Sequence, residues 1–221
     1  RNSLDQIIYP KLGSDIKVSL QVTPPYSKMN GKDYALLEPQ DKYKWIEYYK
    51  FKYTVDWYTP IVQNLVFKAK AGYGFLGFFN DDIGPAPFER FYLGGSGLTG
   101  FQLDGREIIA LRGYDDGSVS PLTGGTSIAK YTAELRYPLS LNPSATIYML
   151  AFAEAGNTWN DFSNFQPFNV NKSAGVGVRI FLPMFGLLGL DWGYRLDDIK
   201  SRPGMQQSQI HFTIGANLGQ L

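Results

Sequence analysis

His211 is the only histidine in the 221 residues, and cysteine is absent. Histidine is the side chain that exchanges a proton most readily near neutral pH, so His211 is the one candidate general base. It sits among polar residues of an alternating run, with no nucleophile-elbow motif anywhere in the chain. A lipase or protease built on it lacks its other parts. Thiolate metal sites and disulfides are excluded. The acidic pairs Asp81-Asp82, Asp115-Asp116 and Asp197-Asp198 lack the interleaved spacing of a calcium loop and read as solvated acids. Gly95-Ser96-Gly97-Leu98-Thr99-Gly100 fits G-x-G-x-x-G, but a dinucleotide site needs a strand before it and a helix after it. No catalytic residue, metal or cofactor is expected. What remains is charge: Lys17, Lys44, Lys50, Lys52, Lys68 and Lys70 on wet faces, Glu134 on a polar strand face, Glu154 one hairpin later, and Arg112 in a very long loop.

The elements that must position these charges are strands. Successive side chains of a strand point to opposite faces. In Gln209–Leu218 every even position is apolar and every odd one is polar or glycine. Seven earlier stretches read as strands too: Ser14–Thr23, Lys42–Tyr58, Gln63–Phe75, Thr126–Tyr137, Thr146–Glu154, Ser173–Phe181 and Leu187–Arg195. In the second, Tyr43, Trp45, Tyr49, Phe51, Tyr53, Val55 and Trp57 share a face opposite Lys44, Lys50, Lys52, Thr54 and Asp56, and Glu47 breaks the pattern. Thr146–Glu154 is apolar on both faces until Glu154, so its facing stays open.

Each of these stretches is about as long as a tilted transmembrane strand needs to be, roughly 9–11 residues. Their links alternate in length. Pro24–Asp41, Leu76–Gly125 and Ala155–Lys172 are long, Thr59–Val62, Pro138–Ala145 and Pro183–Gly186 are short, and Leu196–Gln207 is intermediate. Outer-membrane barrels combine tight periplasmic turns with long outer loops, which would leave the C-terminus in the periplasm. A soluble antiparallel barrel or sandwich also alternates. It would have to bury Leu188, Leu190, Trp192 and Tyr194 while the opposite face carried glycine and charge. A membrane barrel inverts this and uses strand-end aromatics as an interfacial girdle. No run of about 18 apolar residues exists for a membrane helix, and a net charge of +1 gives no reason to expect nucleic acid. The expected fold is an all-β transmembrane antiparallel barrel whose first partner is the lipid bilayer.

Leu76–Gly125 is too long for an idle hairpin loop. It holds Phe91-Tyr92-Leu93-Gly94-Gly95 and Leu111-Arg112-Gly113-Tyr114, and beyond it come Glu134 and Glu154 on the next two strands. This succession resembles the C-terminal half of the barrel in the BamA family of outer-membrane assembly proteins. The first motif is similar to the family's F-Y-x-G-G at the opening of its sixth outer loop, and the second to the V-R-G-F/Y at that loop's tip. The two glutamates match its acidic positions. The resemblance implies a loop pinned inside the barrel by Arg112 against Glu134 and Glu154. Residue chemistry fits: a guanidinium fork suits two carboxylates, Gly113 permits a sharp turn, and Tyr114 can pack on the wall. Taken without the resemblance, Arg112 reads as a solvated loop charge.

Eight strands make a barrel just wide enough for its own side chains, with no room for such a loop, and open edges are not tolerated in hydrocarbon. Arg1–Asp5 reads as the tail of a further strand, joined to Ser14–Thr23 by a turn around Tyr9–Gly13. Without an initiator methionine or signal peptide, the chain reads as a mature product or a fragment. The resemblance implies that residues 1–221 are the second half of a sixteen-stranded barrel, with 76–125 folded into the lumen and the first half and POTRA domains elsewhere. It further implies folding and insertion of unfolded outer-membrane clients through a lateral seam, with accessory lipoproteins of the assembly machine as partners and no nucleotide hydrolysis. Ile210, Phe212, Ile214, Gly215 and Leu218 mark the closing strand, with Gly215 expected to thin its packing midway. The chain departs from the family in ending Leu218-Gly219-Gln220-Leu221 rather than in an aromatic. A secretion translocator of the same superfamily and a passive diffusion pore stay open as alternatives.

Overall fold

The computed structural model describes residues 1–96, 107–199, 204 and 206–215. Ten strands occur among them: β1 (Gly13–Val22), β2 (Tyr49–Val62), β3 (Leu65–Gly77), β4 (Phe91–Leu93), β5 (Glu107–Ile109), β6 (Ser127–Asn142), β7 (Ala145–Trp159), β8 (Asn171–Leu182), β9 (Gly186–Arg195) and β10 (Ser208–Ile214). Eight of them form one antiparallel sheet in the order β1-β2-β3-β6-β7-β8-β9-β10. β4 and β5 are a short parallel pair inside the long connection. Within the described residues β1 and β10 are the two edges, and the sheet is open. Among the described residues no helix is long and apolar enough to cross a membrane.

The faces divide as the alternation predicts. Val18, Leu20, Trp57, Leu135, Met149, Val176, Leu190, Trp192, Ile210 and Phe212 are exposed, while Lys50, Thr54, Lys130, Glu134, Arg136, Arg179, Asp191, Arg195 and His211 are buried. The buried charges face the side on which the long connection packs, called the inner face below. The facing of β7 is now decided: Tyr148, Leu150, Phe152 and Glu154 point inward, and Met149 and Ala151 point outward.

Three readings from the sequence need correction. The second strand begins at Tyr49, not Lys42; Pro39–Lys42 is a helical turn, and Tyr43–Tyr48 are not in a strand. Glu47 is the reason. Its buried carboxylate accepts the backbone N–H of Ser27 at 2.8 Å and the Ser27 hydroxyl at 2.5 Å, so the segment folds over the β1–β2 loop. Secondly, Gly215 is not midway along its strand. The ladder ends at Ile214, and Gly215 follows with φ +103°, a conformation that suits glycine and few other residues. Thirdly, the strands β6 and β7 run longer than expected and meet across Pro143-Ser144. Leu218 and the rest of the expected closing strand beyond Gly215 lie outside the described residues, as does most of the G-x-G-x-x-G stretch.

The end of the sheet with the short turns has an aromatic floor. Tyr9, Tyr58, Val66, Tyr148, Leu150 and Phe152 form one buried cluster. Tyr9 reaches it because Arg1–Asp5 run back along the free side of β1, with Ser3 N–H donating to Ser14 O at 2.8 Å and Ile16 N–H to Arg1 O at 2.7 Å. The Tyr9 hydroxyl donates to the carbonyl of Arg136 at 3.0 Å, and burial pushes its pKa up to about 12.

Candidate functional site

The long connection is a folded unit with its own core: Leu76, Phe91, Leu93, Ile109, Leu111, Tyr114, Val119 and Ile128 pack together. Phe91 exchanges both backbone hydrogen bonds with Gly125, at 2.9 and 2.8 Å. The glycine pair after Leu93 has a steric reason. Gly94 and Gly95 have φ +135° and +77°, and a Cβ on either would collide with Asp115 or Asp116 of the returning chain. The chain can therefore cross itself there. Gly95 N–H donates to Tyr114 O at 3.0 Å and Leu111 N–H to Gly95 O at 3.1 Å.

The crossing presents Leu111–Tyr114 as a turn closed by Tyr114 N–H to Leu111 O at 3.3 Å. Gly113 occupies its corner with φ +89°. Leu111, Arg112 and Tyr114 are all buried. The Arg112 Nη2 donates to Glu134 Oε1 and to Glu154 Oε1, each at 2.8 Å. Its backbone N–H donates to the other Glu154 oxygen, also at 2.8 Å. The guanidinium lies 3.6 Å from the centre of the Phe152 ring, and Nη1 is 3.5 Å from Asp191 Oδ1. Burial opposes the charge, but Glu154, Glu134 and Asp191 together more than offset it and raise the pKa of Arg112. The structure thus brings Arg112, Glu134 and Glu154 together, and the Tyr114 hydroxyl donates to Lys172 O at 2.7 Å.

A second layer of charge holds the carboxylates. Arg136 donates to Glu134 Oε2 through Nε at 2.8 Å and Nη2 at 2.6 Å. Glu154 accepts from the Thr132 hydroxyl at 3.2 Å and faces Lys130 Nζ at 3.5 Å. Asp191 is held in a fork by Arg179, at 2.8 and 2.7 Å. Buried charges at this density persist only when each is paired and hydrogen-bonded.

The motifs in the sequence did not join Asp191 and Arg179 to the site. They also missed His211, whose Nε2 accepts the backbone N–H of Gly113 at 2.8 Å. This bond, with a contact between Gln209 and Asp115, ties the arginine turn to β10. In this structure His211 is thus a hydrogen-bond acceptor for the turn, directly across the ladder from Asp191. The expected closing-strand residues Ile210, Phe212 and Ile214 are exposed on the opposite, outer face.

Register explains the assembly. Across the sheet Glu134 pairs with Phe152, Phe152 with Gly175 and Gly175 with Gly193. One row lower, Arg136, Leu150, Gly177, Asp191 and His211 follow one another. The glycines form a trough. A Cβ at Gly175 would sit 2.6 Å from the Phe152 ring, one at Gly193 would sit 2.5 Å from Gly113 N, and one at Gly177 would strike the Asp191 carboxylate. The arginine turn lies on bare backbone.

An all-β sheet, apolar on one face and charged on the other, with one of its own connections seated on the charges, has the build of a membrane-spanning barrel wall. The Omp85 superfamily domain matches residues 1–217, and the chain belongs to that superfamily. Among solved structures the fold is similar to the crystal structure of BamA from Haemophilus ducreyi lacking POTRA domains 1–3. The TM-score is 0.64 and the sequence identity 20%, over 96% of this chain and 39% of that one. The chain therefore spans about two fifths of that structure. No curated protein sequence matches it.

Proposed function

We propose that the chain is the second half of a sixteen-stranded barrel in the bacterial outer membrane, with its C-terminus in the periplasm. The barrel folds and inserts β-barrel clients through a seam at β10, without nucleotide hydrolysis. The observation that carries this reading is the arginine turn seated on Glu134 and Glu154. A lumen filled by a charge-locked loop leaves the edge of the wall, rather than a channel, as the place where a client can be handled. An edge strand offers unpaired N–H and C=O groups to an incoming strand. Superfamily membership supports the reading. Its partners are then unfolded outer-membrane proteins, the first half of the barrel and the accessory lipoproteins of an assembly machine.

The test uses the full protein in vesicles, with a cysteine at Phe212 or Ile214 paired to one on the first strand of the barrel. Oxidation should abolish its acceleration of client insertion, and reductant should restore it. Full activity of the oxidised form overturns the seam. Steady wide single-channel conductance with the loop intact would instead favour a passive pore, and client export through the lumen a secretion translocator.

A further inference from the structure

The connection from Asn160 to Val170 leaves the same end of the sheet as the arginine-bearing one. It does not turn inward. It folds down the outer wall, where Phe165 packs against Trp159, Phe75 and Tyr73 with ring centres 4.9, 5.1 and 6.5 Å apart. Phe162 meets Phe75 at 5.5 Å, and Phe168 stacks on Tyr131 at 6.5 Å with the planes 7° apart. Tyr73, Phe75 and Tyr131 all alternate with inward-facing residues, so they lie on the outer, apolar face. The polar ends of these rings are satisfied: the Tyr73 and Tyr131 hydroxyls are 3.1 Å apart, and Tyr131 donates to Pro167 O at 3.1 Å. Yet Phe162 and Phe168 are 72% and 86% exposed. Two phenyl rings are thus held out from the wall by a loop whose own fold uses the other rings.

Position decides what they meet. Tyr131 stands four residues inside the end of β6 at Ser127. At about 3.4 Å per residue and a tilt of about 40°, that is roughly 10 Å below the rim. The outward residues Tyr131, Ala133, Leu135, Tyr137 and Leu139 then span roughly 20 Å, close to the height of a barrel's apolar band. Phe168 lies at the upper border of that band. From Asn160 to Val170 the loop carries one charge, Asp161, and no basic residue, so an anionic phosphate is not what it attracts. We infer that this loop is a lipid-facing wedge: Phe162 and Phe168 insert at the boundary between acyl chains and headgroups of the leaflet at the long-loop end. Continuity with the apolar wall, ring chemistry and lack of cationic residues all select lipid as the occupant. Aromatic rings favour that boundary.

These 221 residues hold no cysteine, so, with any cysteine in the rest of the protein replaced, a spin label can be placed singly. The full protein carrying Phe168→Cys, Phe162→Cys or Ser163→Cys is labelled and reconstituted in phosphatidylcholine vesicles. The ratio of relaxation by oxygen to relaxation by a water-soluble nickel chelate should be several-fold higher at 168 and 162 than at 163. Equal ratios at all three positions would overturn the inference by placing the loop in water. Protection of 168 and 162 from both reagents would overturn it by placing protein, including a second copy, on the rings. Two independent ring positions keep the test valid if one substitution disturbs the loop.

Discussion

Two of the loops that leave the same end of this sheet finish on opposite sides of its wall. The inner one is seated by ions, backbone hydrogen bonds and glycine; the outer one is seated by rings. Each matches the face it lies on. Inside, charge is buried and held by opposite charge, so Arg112 meets Glu134, Glu154 and Asp191 and even its backbone N–H is used. Outside, rings in mutual contact suffice, and the few hydroxyls bond one another. A loop's destination is written in the complement of the wall it rests on, not in its length.

The comparison is broken hardest at Arg112. Arg112→Ala leaves two buried carboxylates short of a partner, a loss of about 3–5 kcal/mol for the seated loop. Limited proteolysis between residues 76 and 125 should accelerate by more than tenfold, while cleavage of 160–170 stays unchanged. Arg112→Glu should be as severe, and Glu134→Arg should partly rescue it. Failure of both would show that the guanidinium does not seat the loop. Gly193→Val comes next. It puts a side chain where Gly113 N lies 2.5 Å away, and overpacking of this kind costs about 1–3 kcal/mol. Hydrogen exchange at Gly113 and Tyr114 should rise. Normal protection would mean that the turn has another seat.

His211→Leu removes the acceptor of the Gly113 N–H, at about 1–3 kcal/mol for a buried group left unmatched. His211→Gln should restore most of the protection because its carbonyl can accept in the same place. Equal loss in both variants would reduce the histidine to a space-filling role. The smallest effect is expected outside. Phe165→Ala removes several ring pairs worth about 0.5–1.5 kcal/mol each. It should loosen 160–170 by proteolysis and leave the inner loop intact. Release of the inner loop by this variant would show that the two are not independent.

Period-two alternation made the eight main strands and their faces legible in the sequence, and motif resemblance picked out Arg112, Glu134 and Glu154. The rest depended on height along the strands. Asp191 and His211 could each be assigned to the inner face, but only pairing register sets them side by side and level with Gly113. Register follows from turn and bulge positions, such as the shift between Pro138 and Ser140, which the pattern did not fix. Lys42–Tyr48 misled because its aromatics keep the alternation while Glu47 finds a partner in Ser27, a tertiary contact. The outer fold of 160–170 was invisible for a similar reason, since its rings read as loop residues until Tyr73 and Tyr131 are known to stand beneath them.

The run of glycines on the inner side of β8 and β9 has a mechanical corollary. Side chains brace a sheet by filling the concave space as it curves. At Gly175, Gly177, Gly189 and Gly193 that bracing comes only from neighbours, Phe152, Asp191, Thr213, Arg179 and the Gly113 backbone, and glycine weakens a strand interior. This glycine strip lies next to β10. The arginine turn supplies the missing thickness and works as a splint across it. Lifting the splint would leave a thin, easily flexed panel directly beside the free edge.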